Sequence, residues 1–176
     1  MAIQIGEKTL SVNGSSHHSL SQNGADVEWK AVVKTTMPWQ PSSYDENRNT
    51  LDYCFKPTAE LLAHVSMLES EVFKEVSAHS ATYFGEATAP EVVKQRFQSG
   101  IKTSHLGLQH FKSKGRSSNI MFWDKNQKAI PQPTVWSKCD EFKFIVQAAS
   151  IWFNDKAWGV SYDLRHLQTF ASDCPF

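Results

Sequence analysis

The sequence predicts an α+β protein that is mostly β: one antiparallel barrel or sandwich with two helices inserted in its middle. Three observations predict it. Segments in which apolar and polar residues alternate, the period of a half-buried strand, lie on both sides of a single helical block. Two long alternating runs near the end of the chain are separated by only four residues, which predicts an antiparallel hairpin. The chain of 176 residues, 40% of them hydrophobic, is long enough for one buried core and shows no internal repeat.

Taken in order, Ile3 and Ile5 point to a short first strand. The Ser, Asn, Gly and His content of 11–24 is too polar to bury, so residues 1–25 are expected to form a flexible arm. Over 27–37, Val27, Trp29, Ala31 and Val33 alternate with Glu28, Lys30, Val32 and Lys34, predicting a strand that Pro38 and Pro41 end. A second strand is expected over 50–55, closed by Pro57. Thr58 stands where a helix N-cap belongs, and Leu61, Leu62, Val65, Leu68, Val72, Phe73 and Val76 recur at helical spacing to about His79. Pro90, after Thr88, opens a second helix through Val92, Val93 and Phe97, which Gly100 stops. The β pattern then returns over 104–112, 119–123, 141–153 and 158–170, the last two joined by Asn154-Asp155-Lys156-Ala157. One domain over 26–171 and a short tip over 172–176 complete this organisation.

Several function classes lose support on composition. Cys54, Cys139 and Cys174 are an odd number without a C-x-x-C pair, which predicts a reducing, intracellular compartment. No basic-then-apolar leader and no apolar run of ~20 residues is present, so a soluble protein without a membrane partner is expected. No glycine-rich phosphate loop, G-x-S-x-G elbow, H-E-x-x-H or close carboxylate cluster supports an enzyme. His17 and His18 lack a third ligand, and His64 and His79 lie fifteen residues apart, so neither a metal nor any other cofactor is expected. Glu69, Glu71 and Glu75 are read as the solvated face of the long helix.

The charge distribution says more than its sum. Eighteen basic residues balance eighteen acidic ones, yet between residues 94 and 128 eight cations face the single acid Asp124. They are Lys94, Arg96, Lys102, Lys112, Lys114, Arg116, Lys125 and Lys128. The densest part, Lys112-Ser113-Lys114-Gly115-Arg116, reads as a loop between strands, either a phosphate-wrapping loop or a solubilising turn. Six tryptophans add stacking surfaces for bases. Trp152 and Phe153 are neighbours in a strand and cannot both face one core, and Trp158 and Tyr162 follow across the turn. Arg165, near the polar Ser161 and Asp163, is placed either to contact phosphate or to pair with Asp163.

At this point the second half of the chain resembles a known family. Lys138-Cys139-Asp140, then Phe142-Lys143-Phe144-Ile145-Val146-Gln147-Ala148-Ala149-Ser150-Ile151-Trp152-Phe153 and Trp158-Gly159-Val160-Ser161-Tyr162-Asp163-Leu164-Arg165-His166-Leu167-Gln168 are similar to the final hairpin of single-stranded DNA-binding proteins of nucleocytoplasmic large DNA viruses. Ser80-Ala81-Thr82-Tyr83-Phe84-Gly85 resembles that family's N-S-x-x-W-F-G. Pro90 to Phe97 with Ile101-Lys102 resembles its short helix and x-I-K, and Phe122-Trp123-Asp124-Lys125-Asn126 its D-x-x-G/N turn. The likeness covers roughly residues 58–170, a series of loose patterns in the right order.

The resemblance implies an OB-like barrel that coats single strands in viral replication, recombination or repair, in a viral factory, host cytoplasm or nucleus. Ala149 stands where the family has Gly. Asp163-Leu164-Arg165 replaces a more basic segment, which implies a weaker contact from the last strand. The terminus Ser172-Asp173-Cys174-Pro175-Phe176 is similar to the D-D-I-P-F tip by which bacterial single-stranded DNA-binding proteins recruit enzymes. Asp173, Pro175 and Phe176 are thus candidate contacts for replication or recombination enzymes, a plain chain end being the alternative.

The expected function is non-enzymatic, sequence-tolerant binding of single-stranded DNA, with RNA and homo-oligomerisation left open. Candidate contacts are Lys102, Lys112, Lys114, Arg116, Lys143 and Arg165, with Trp123, Trp152 and Trp158 as stacking rings. The alternative is a virion or scaffold protein using the same β-barrel for protein contacts.

Overall fold

The computed structural model describes residues 2–43 and 49–171. Its strands are β1 (Ile3–Leu10), β2 (Ser16–Gln22), β3 (Val27–Lys30), β4 (Thr50–Phe55), β5 (Phe97–Gln98), β6 (Ile101–Thr103), β7 (Gln109–Arg116), β8 (Met121–Trp123), β9 (Ala129–Ile130), β10 (Glu141–Phe153) and β11 (Trp158–Phe170). The helices α1 (Ala59–Ala78), α2 (Ser80–Phe84) and α3 (Pro90–Arg96) fall between β4 and β5. Strands therefore flank one helical block, as the sequence predicts, and α2 is a short helix added between the two expected ones. Among the described residues no helix is long and apolar enough to cross a membrane. The chain divides into two compact units, the first made of Met1–Val27, Ala63–Gly100 and Ala148–Ser161 and the second of Glu28–Leu62, Ile101–Gln147 and Tyr162–Phe176.

In the first unit β1 pairs antiparallel with β2, and β2 pairs with the hairpin end of β10 from Ser150↔Ser19 to Phe153↔Ser16. The segment expected to be a flexible arm is thus a hairpin docked on the sheet. Its polar composition conceals a period-2 pattern in which Ser16, His18 and Leu20 take the inward positions. His18 is held by its own polarity: Nδ1 is 3.0 Å from the Gly6 carbonyl, and its ring meets Tyr83 and Phe153 edge-on at 5.1 and 5.7 Å.

The long helix begins as expected, with Thr58 Oγ1 accepting the Leu61 N–H at 3.3 Å. Leu61, Val65, Leu68, Val72 and Val76 form its buried stripe. Glu69, expected in solvent, is only 6% exposed. Its carboxylate accepts the Gly100 N–H at 2.7 Å and the Ser99 hydroxyl at 2.6 Å, so the charge is satisfied by the turn that follows α3 and β5. Pro90 opens α3 at its first turn, with Ala89 rather than Thr88 at the cap position.

Trp158, a candidate stacking ring, is fully buried. Its Nε1–H donates to the Val93 carbonyl at 2.8 Å, and its ring lies near-parallel to Phe153 at 5.7 Å and tilted against Phe97 at 4.7 Å. A ring enclosed in this way offers no face to a base.

The second unit is built on rings. Tyr53, Phe55, Phe111, Phe142, Phe144 and Tyr162 are buried, with Phe55 stacked on Phe144 at 4.0 Å. β4 pairs antiparallel with β7 from Thr50↔Arg116 to Phe55↔Phe111, and β6 pairs antiparallel with the start of β7. β8 lies parallel to β11 from His166↔Met121 to Gln168↔Trp123, and antiparallel to β9.

Three expectations change here. The strand over 27–37 stops at Lys30 and returns only as the bridge Thr35↔Phe142. Ala31 N–H donates to the Phe144 carbonyl and Thr35 N–H to that of Phe142, so four residues advance against two. The excess bulges outward, leaving Val32 76% and Val33 51% exposed. Of the strand expected over 104–112, residues 104–108 form instead the turn between β6 and β7, where Gly107 takes φ 78°, and pairing begins only at Gln109. The run 112–116 is the second half of β7 rather than a loop. Ser113 faces inward and donates to the Tyr53 carbonyl at 3.1 Å. Gly115 serves close approach, since a Cβ there would meet Ile120 Cδ1 at 2.6 Å.

Trp158→Phe should lower stability by about 1–3 kcal/mol, because the buried Val93 carbonyl loses its partner. Urea unfolding should show a lower midpoint at an unchanged slope.

Candidate nucleic-acid interface

Two clefts lie in the second unit along β11. The first, of about 210 Å³, is lined by Thr50, Lys114, Gly115, Arg116, Asn119, Asp163, Leu164 and Arg165. Lys114 and Asp163 are in register across a parallel contact of β7 with β11. Arg165 Nε donates to Gln147 Oε1 at 2.7 Å, and a second guanidinium nitrogen reaches the same oxygen. Gln147 is thus the direct partner of Arg165. Burial pushes the Asp163 carboxyl above its ordinary value of 3.8, and the charges of Lys114 and Arg165 oppose that shift.

The second cleft, of about 520 Å³, is lined by Lys30, Ala31, Val32, Trp123, Gln127, Lys143, Phe144, Ile145, His166 and Gln168. Trp123 ends β8, and its carbonyl accepts the Thr169 hydroxyl at 3.3 Å. Asp124 then forms a tight turn: Oδ1 accepts the N–H groups of Asn126 and Lys128 at 2.8 and 2.9 Å, while Gln127 adopts φ 62°. The Gln168 amide donates to the Asp124 carbonyl at 3.2 Å. The indole Nε1–H of Trp123 donates to His166 Nδ1 at 3.1 Å. Arg165 and His166 are consecutive, so both clefts border one stretch of β11; from residue 163 to 168 it advances about 17 Å.

Of the residues singled out in the sequence, Lys114, Arg116 and Arg165 meet in the first cleft, and Trp123 and Lys143 in the second. Lys112 is instead paired with Asp52 at 2.8 Å. Lys102 sits on β6 opposite His110 and is in the lining of neither cleft. Trp152 belongs to the first unit, half-buried beside Gly159, where a Cβ would come within 3.2 Å of its ring. Trp158 is withdrawn by burial. Asp173, Pro175 and Phe176 lie outside the described residues.

Sequence reasoning missed Lys30, Gln127, His166 and Gln168 as cleft residues. His166 carried a signal, since it follows Arg165 at the polar end of the last strand. Nothing local joins it to Trp123, because that contact depends on the parallel pairing of β8 with β11.

No family model and no curated protein matches the sequence. Among solved structures, the chain is similar to gp2.5, a single-stranded DNA-binding protein encoded by bacteriophage T7. That likeness has a TM-score of 0.52 at 13% identity, over 86% of this chain and 92% of that one. The single-stranded DNA-binding protein from bacteriophage Enc34, in complex with single-stranded DNA, aligns over 98% of this chain and 95% of that one, with a TM-score of 0.48 at 9% identity. The fold is therefore mostly β and OB-like, with the helices inserted in its middle. These neighbours are bacteriophage proteins, not proteins of nucleocytoplasmic large DNA viruses.

The raised Asp163 carboxyl has a definite effect on stability. The folded state holds this proton to higher pH than the unfolded chain, so the group's contribution falls as pH rises from about 3.8 through the folded value. Asp163→Asn should remove that fall and be at least as stable as the parent at neutral pH. Urea midpoints compared from pH 4 to 7 test it; a less stable variant at pH 7 would mean that the attraction of Lys114 and Arg165 outweighs burial.

Proposed function

We propose that the chain binds single-stranded DNA with little sequence preference, holding phosphates in the cleft of Lys114, Arg116 and Arg165 and stacking a base on Trp123 in the adjoining cleft. One observation carries this reading: a cationic cleft and an aromatic cleft border successive residues of the same strand. A backbone-tracking cation row beside a stacking ring is what sequence-tolerant single-strand recognition requires, because every base has a π-face. Lys30 and Lys143 extend the positive lining into the second cleft. The OB-like fold shared with gp2.5 supports the same reading.

A role in DNA replication, recombination or repair follows as part of this proposal. Recruitment of enzymes through Asp173, Pro175 and Phe176 extends it to the end of the chain. Because the whole protein is neutral, attraction to DNA is local, and the Asp163 carboxylate weakens it.

Fluorescence anisotropy of labelled oligo-dT, titrated at several salt concentrations and beside a duplex of equal length, tests the proposal. Affinity should fall steeply with salt and be weaker for duplex. Lys114→Ala and Arg116→Ala should each lower affinity and take ~0.7 from the log–log salt slope. Asp163→Asn should tighten binding roughly fivefold, about 1 kcal/mol for removing one repulsive charge near the surface. Absence of binding at low salt, or binding indifferent to salt, would overturn the proposal.

A further inference from the structure

We infer that Trp123 and His166 form one composite plate on which a single nucleobase stacks, His166 being the positioning residue that fixes the plane of the indole. The inference rests on the single-stranded DNA reading and specifies how its aromatic cleft works.

The hydrogen bond between the two rings sets their geometry. An indole nitrogen only donates, so His166 Nδ1, 3.1 Å away, must accept, and the imidazole proton sits on Nε2. The indole N–H and the Nδ1 lone pair each lie in their own ring plane. A bond between them, with ring planes 20° apart and centroids 6.1 Å apart, places the rings edge to edge in nearly one plane rather than face on face. The result is a flat surface wider than either ring alone.

The backbone brings the rings together and holds them. Trp123 is in register with Gln168 on the parallel neighbour, and His166 stands two residues earlier on the same face of β11. Thr169 binds the Trp123 carbonyl and Gln168 that of Asp124, so the end of β8 is tied to β11 at the two successive carbonyls that follow the indole. The indole cannot swing away without giving up its N–H partner. Around the plate the cleft supplies what a stacked nucleotide needs, with Lys30 and Lys143 for flanking phosphates and Val32 and Ile145 as an apolar rim. His166 Nε2–H remains as a donor.

The test uses the full chain and three variants: His166→Ala, His166→Asn and His166→Phe. The indole N–H signal of Trp123, identified by its loss in Trp123→Phe, is followed by ¹H–¹⁵N NMR, and oligo-dT affinity by anisotropy. His166→Ala should move that signal toward the position of a solvent-exposed indole and weaken binding at least about fivefold, the lower end of the effect of losing a base stack. His166→Asn, whose amide oxygen can accept the same bond but which lacks the ring, should keep the signal near its native position and recover only part of the affinity, the share that positioning of the indole supplies. His166→Phe, a ring without an acceptor, should lose the native signal and bind more weakly than the parent.

If the parent protein binds but His166→Ala matches it in both affinity and signal position, the composite plate is wrong and the single-strand reading stands. Full affinity in His166→Phe would equally overturn the positioning role. If the parent shows no binding to oligo-dT, both fall together.

Discussion

The candidate site depends on how one edge of β11 is shared. A β-strand edge offers one row of backbone donors and acceptors, yet β7 and β8 both pair with this edge within six residues, β7 at Asp163 and β8 from His166 to Gln168. The chain moves between them through a single turn of 3₁₀ helix at Ser117–Asn119. Leu164 and Arg165 fall between the two ladders, and there the first cleft opens. The handover demands close packing at Gly115, where a Cβ would lie 2.6 Å from Ile120 Cδ1 and 3.3 Å from the Leu164 carbonyl. The second cleft follows from the same event, since it is β8, once docked, that sets Trp123 beside His166.

Electrostatics then modulates what topology has placed. Eight cations between residues 94 and 128 would suggest a strong field, but the structure consumes part of it. Lys112 is paired with Asp52, and Arg165 is oriented by Gln147. Asp163 puts a carboxylate among Lys114, Arg116 and Arg165. Each exposed pair is worth only about 1 kcal/mol at a few ångströms, so one acid can offset one cation.

Legibility in the sequence followed how local each cause was. The bounds of β4, β10 and β11 coincide with the expected segments because their ends carry local signals, Pro57 after β4 and the short Asn154–Ala157 connection between β10 and β11. The long helix was legible from Thr58 and a 3.6-residue stripe for the same reason. The arm that became a hairpin was misread because Ser16 and His18 fill inward positions usually held by aliphatic residues. The 112–116 run was misread because glycine and serine mark turns far more often than they mark a strand that packs against a neighbour. Parallel pairing of β8 with β11 leaves no periodic trace at all, so the partner of Trp123 could not be read.

The two tryptophans show why a ring's function is decided by where its N–H goes. One ends a strand and the other begins one, and both must satisfy one indole donor when even partly buried. Trp158 meets that need with a backbone carbonyl of α3, which draws the ring into the interior and encloses it between Phe153 and Phe97. Trp123 meets it with the edge of another planar ring at the wall of a cleft. A carbonyl ends the surface; an imidazole held in nearly the same plane continues it. The same chemical requirement therefore turns one indole into core and leaves the other lining a cleft.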